Sequence, residues 1–92
     1  MNLIDAVRDL VSLDSNATIY ATAPWSPRSE TVVAEEPQTG GSPPEARAKG
    51  MKYFLEVFIA KEVIEGFASE LGRDPTESER CERLIDYATN DA

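Results

Sequence analysis

Residues 51–71, MKYFLEVFIAKEVIEGFASEL, contain no proline, and Gly66 is their only glycine. The hydrophobic period changes partway along this stretch. In 51–60, Tyr53, Leu55, Val57 and Ile59 alternate with Phe54, Glu56 and Phe58. That pattern and its β-branched and aromatic content predict a strand with both faces largely apolar, as for a central strand covered on both sides. A helix is the rival reading, because no Pro or Gly separates this run from the helical residues after it. From Lys61 the spacing of Val63, Ile64, Phe67, Ala68 and Leu71 is helical, with Gly72 a suitable stop.

The rest of the chain supplies partners for that strand. Leu3, Ile4, Val7, Leu10 and Val11 make one apolar face of a helix over 2–13, with Asn2 and Asp5 as a capping pair. DSN at 14–16 breaks it. ATIYATA, 17–23, reads as a strand with Ile19, Ala21 and Ala23 on one face and Thr18, Tyr20 and Thr22 on the other. Pro24 ends it, and ETVVA, 30–34, gives a second strand, making an antiparallel hairpin. EEPQTGGSPPE, 35–45, predicts a flexible acidic loop, and PPEARAKG one helical turn from Pro44 to Gly50. TESE, 76–79, has capping-box form, and the helix after it aligns Cys81, Leu84, Ile85 and Ala88. The expectation is a single α+β domain over 1–92. It has a small, mainly antiparallel sheet of about three strands, with an N-terminal helix and two C-terminal helices packed on it.

Function is bounded first by what is missing. The 92 residues include no histidine, which removes His-based acid–base catalysis, Ser-His triads and His metal sites. There is no phosphate-binding loop and no calcium-loop pattern. Cys81, the one cysteine, is expected to pack as a small hydrophobe. No catalytic residue, metal or cofactor is expected. MNLIDAVRDLVSL reads as neither signal peptide nor membrane span, since Asp5, Arg8 and Asp9 interrupt it, and a cytoplasmic setting is expected.

The net charge of −8 opposes direct binding to nucleic acid or anionic lipid and favours a basic protein partner. Candidate contact residues fall in two groups. Trp25, between Pro24 and Pro27, stands with Glu30, Glu35 and Glu36; a lone Trp is also a common core filler. Glu79, Glu82 and Asp86 share a face of the last helix, with Glu79–Arg83 a favourable i,i+4 pair. Glu56, within an apolar strand, belongs either at a sheet edge or beside Arg47, Lys49 or Lys52.

PWSPRS, GMKYFLEV, GRDPTESE and the final YATNDA together resemble a family of small acidic bacterial proteins of immunity-protein type. The resemblance spans roughly 15–92 and would make Trp25, Gly50, Tyr53, Tyr87 and Asp91 shared positions. It implies a binding protein that occludes a partner, such as an immunity protein or antitoxin against a cationic, nuclease-type toxin. A phage-encoded inhibitor of a bacterial defence system, acting like an anti-CRISPR protein, is the alternative. A small enzyme or ligand carrier built on carboxylates and tyrosines would need a pocket at Glu56 and Tyr53.

Overall fold

The computed structural model describes residues 1–90. Its elements are α1 (Leu3–Arg8), a 3-10 turn (Leu10–Ser12), β1 (Thr18–Ala21), β2 (Thr31–Ala34), α2 (Pro44–Ala48), β3 (Lys52–Glu56), α3 (Val57–Leu71) and α4 (Glu77–Asn90). The strands form one antiparallel sheet in the order β2-β1-β3. The α+β class, the three-stranded sheet, the N-terminal helix and the two C-terminal helices agree with the sequence reading.

The sheet is covered on both faces. Ile19 and Ala21 of β1, Val33 of β2 and Leu55 of β3 turn toward a core shared with Leu3 and Val7 of α1, Val57 and Ala60 of α3, and Cys81 and Leu84 of α4. Each fully buried Leu, Ile or Val among these contributes about 2 kcal/mol by leaving water. On the opposite face Tyr20 packs beneath Ala46 of α2 and Met51, flanked by Val32. The central strand is therefore β1, all four of whose residues are buried, and not the 51–60 segment.

That segment differs from the expectation in two ways. β3 stops at Glu56, and α3 begins at the next residue, absorbing Val57, Phe58, Ile59 and Ala60 into a helix. The junction is set by a contact far away in sequence, because Val57 N donates to the Ala17 carbonyl at 2.9 Å. A β-bulge also interrupts the ladder, with Ile19 opposite Leu55 and Tyr20 opposite Tyr53. Phe54 is the extra residue, so it and Leu55 both reach the main core and strict alternation fails.

The first helix is likewise shorter than predicted. Its last apolar positions tighten into the 3-10 turn, which keeps Leu10 buried but swings Val11 out to 86% exposure. Several local signals hold as read. Asn2 N donates to Asp5 Oδ2 at 2.9 Å. Thr76 and Glu79 exchange reciprocal bonds: Thr76 N donates to Oε1 at 2.9 Å, and Glu79 N donates to Oγ1 at 3.1 Å. Gly72 closes α3 in the left-handed region, its N–H reaching the Ala68 carbonyl.

Candidate interaction surface

Trp25 belongs partly to the interior. Its ring meets Phe54 edge-on at 5.0 Å between centroids, and Nε1 donates to the Ala21 carbonyl at 3.3 Å. The half-buried indole thus closes the end of the sheet while its outer edge meets solvent. The 22–30 loop is pinned around it: Ser26 N donates to Ser29 Oγ, Leu3 N to the Ser29 carbonyl and Ile4 N to the Pro27 carbonyl.

The acids predicted to flank Trp25 do not stay together. Glu30 is at the Trp25 end, where its carbonyl accepts from Thr22 N and its carboxylate pairs with Lys49 at 3.1 Å. Glu35 and Glu36 follow Ala34, which pairs with Thr18 at the other end of the hairpin. At about 3.3 Å per strand residue, Glu35 lies roughly 16 Å from Glu30. β2 is what separates them.

The second group is also divided. Glu79 is engaged within the chain at its surface, gripped by Arg73 through Nη1 to Oε1 at 2.9 Å and Nη2 to Oε2 at 2.8 Å while it caps α4. The guanidinium and the Thr76 amide hold its carboxyl down to about 2. The predicted Glu79–Arg83 pair does not form; Arg83 instead lies over the Phe67 ring, 5.5 Å from its centroid. Glu82 and Asp86 remain exposed on α4 with no ion pair among the described residues.

Two concavities were not foreseen. An open groove of about 580 Å³ runs between the 3-10 turn, α3 and the Asp74–Pro75 turn, floored by Leu10, Ile64 and Ala68. The second is a cleft of about 140 Å³ lined by Ser15, Asn16, Thr18, Glu36, Glu56 and Phe58. Register builds it: Thr18 is opposite Ala34 on one side and Glu56 on the other, so Glu56 and the segment after β2 converge over Thr18. Glu56 thus sits at the sheet edge and forms no ion pair with Arg47, Lys49 or Lys52 among the described residues. Lys61 fixes the remaining wall, with Nζ donating to the Leu13 carbonyl at 2.8 Å and to Ser15 Oγ at 2.9 Å.

Tyr20 points its side chain to the same face as Thr18 and Glu56. Burial pushes its phenol pKa up; the Thr18 hydroxyl works the other way, and the Glu36 and Glu56 charges add to the rise. Tyr53, beside it on β3, is only partly shielded from water, and that partial desolvation together with Glu56 raises its phenol. Cys81 is fully buried and its thiol is raised to about 11 by burial, with Glu82 adding to it.

No family model, curated protein or solved structure matches this chain. Of the positions carried by the resemblance to immunity-type proteins, Trp25 packs on the core, Gly50 adopts φ 67° after α2, Tyr53 is exposed on β3 and Tyr87 packs on the core from α4. Asp91 lies outside the described residues. No helix among the described residues is long and apolar enough to cross a membrane, and none of their side chains form a group of three or more metal-ligating residues.

Proposed function

We propose that this chain is an acidic binding protein that neutralises a basic partner protein by occluding it. The form proposed is an immunity protein or antitoxin acting on a cationic, nuclease-type toxin. One observation carries the reading. The acids that form ion pairs, Asp5, Asp9, Glu30 and Glu79, are tied to Arg8, Lys49 and Arg73 within the fold. Glu62, Glu65 and Glu70 on α3, Glu77, Glu82 and Asp86 on α4, and Glu35 and Glu36 form no such pairs among the described residues, and most of them are exposed. The uncompensated charge is therefore carried mostly by α3 and α4, where it speeds encounter with a basic protein and repels anionic ones.

The test is capture from the native host with tagged protein, identification by mass spectrometry, and measurement of the association rate against salt. A basic protein whose on-rate falls steeply between low and high ionic strength is the expected outcome. A partner whose association ignores salt would overturn the electrostatic mechanism.

A further inference from the structure

We infer that the open groove between the 3-10 turn and α3 is a self-association surface, covered in solution by the same groove of a second copy of this chain. The inference goes beyond the occlusion reading and does not depend on it.

The apolar stripe of α3 outruns the cover that the chain itself provides. Val57 and Ala60 are buried, but Ile64 and Ala68, one and two turns further on, are only half-covered, and Leu71 at the end of the helix is 37% exposed. With Leu10, Ile64 and Ala68 leave an apolar floor open to solvent. Val11 stands on its rim at 86% exposure, the most exposed large apolar side chain among the described residues. A single exposed valine needs no explanation by itself. Here it adjoins an apolar hollow. Knob and hollow on one patch are what a two-fold interface requires, because each copy must supply what the other receives.

Charge selects the second copy over other occupants. Lys61 and Arg80 line the groove together with Glu65 and Asp74, so its bases and acids balance in a chain whose net charge is −8. Two copies therefore repel each other least when these faces meet. Glu65, Asp74 and Arg80 form no ion pair among the described residues. Arg80 is half-buried, and its Nε is shut off from water without a hydrogen-bond partner. The acids of a facing groove supply the carboxylates that this guanidinium lacks, and its own acids receive the opposing Arg80. Lys61 is held by Leu13 and Ser15, which fixes its side of the rim. A purely basic occupant would set like charge against Arg80 and Lys61, and a purely acidic one against Glu65 and Asp74. The patch is smaller than a permanent interface, which takes about 20–30 residues a side, so the dimer is a reversible one.

The experiment is sedimentation velocity on the full chain from micromolar to millimolar concentration, at low and at high salt. A monomer–dimer equilibrium is expected, with a dimer fraction that rises with salt as repulsion between two acidic copies is screened. That sign is opposite to the one expected for a basic partner. Val11→Gln keeps the net charge at −8. It should raise the dimer Kd by about tenfold or more. Its melting temperature should match that of wild type, since Val11 lies almost wholly in water. Arg80→Glu and Glu65→Lys/Asp74→Lys should each dimerise more weakly than wild type, and an equimolar mixture of the two should associate better than either alone. A chain that stays monomeric throughout, a dimer that Val11→Gln leaves intact, or a dimer that weakens as salt rises would each overturn the proposal. A monomeric chain that captures a basic protein in a salt-sensitive way would remove the second copy and leave the occlusion reading. A dimer with no basic protein captured would remove the occlusion reading alone.

Discussion

Arg73 and Glu79 face each other across the turn between α3 and α4, joined by two parallel hydrogen bonds of 2.9 and 2.8 Å. The same carboxylate accepts the Thr76 amide, so one side chain both caps a helix and fastens it to its neighbour. Its carboxyl is held at about 2 against an ordinary 4.5. A depressed carboxyl contributes stability that is complete above its unfolded pKa and disappears as pH falls through the folded one. Thermal melts of wild type and Glu79→Gln should therefore differ clearly at pH 7. The gap should narrow from pH 4.5 downward and close near pH 2. A constant gap would show that the ion pair is not its source.

Thr76 is the other half of that cap. Thr76→Ala should lower stability by about 1 kcal/mol, the usual loss for an N-cap hydroxyl. Combined with Glu79→Gln, the loss should fall short of the sum, because the two residues satisfy each other's amides. Urea unfolding of both single variants and the double variant measures this coupling.

Trp25→Ala removes the edge contact with Phe54 and the bond to the Ala21 carbonyl. The expected cost is about 3 kcal/mol, the low end for truncating a large aromatic, because the indole is half-buried. Trp25→Phe keeps an aromatic ring but loses the donor, and should cost about 1 kcal/mol. Chemical denaturation followed by circular dichroism reads both. A Trp25→Ala protein as stable as wild type would show that the ring serves the outside only.

Cys81 should be inert in the native protein. With its thiol raised to about 11, only about one in a thousand is ionised at pH 8, some two orders of magnitude less than an ordinary cysteine. Reaction with a chromogenic disulfide should be very slow when folded and complete in denaturant. Fast labelling of the folded protein would mean that α4 lifts away from the core.

The local features of this fold were legible because short-range chemistry decides them. The Thr76–Glu79 box, the Gly72 stop, the hairpin and the turn from Pro44 to Gly50 each depend on residues within a few positions. The β3–α3 boundary was not, because either period suits Val57–Ala60 and the choice is made by Ala17, about forty residues earlier. Val11 fits a helical stripe by spacing, but a tightened last turn rotates it away. The candidate site was less legible still. Glu79 had a neighbour of the right charge at Arg83, yet the turn brings Arg73 closer. Glu36, Glu56 and Thr18 come from three separate strands or their ends, and only the pairing register gathers them.

The strand order has a practical consequence for dissecting this chain. β2 and β3 flank β1 and never touch as a pair, while the link between them crosses the sheet through residues 35–51. A cut between Gly40 and Gly41 leaves Val7 and Ile19 in one piece, and Phe54, Leu55 and Leu84 in the other. Neither piece holds enough of the interior to fold alone, but each carries the surface that completes its mate. Fragments 1–40 and 41–92, unstructured apart, should regain native circular dichroism when mixed, which would make this small protein a natural candidate for a split reporter.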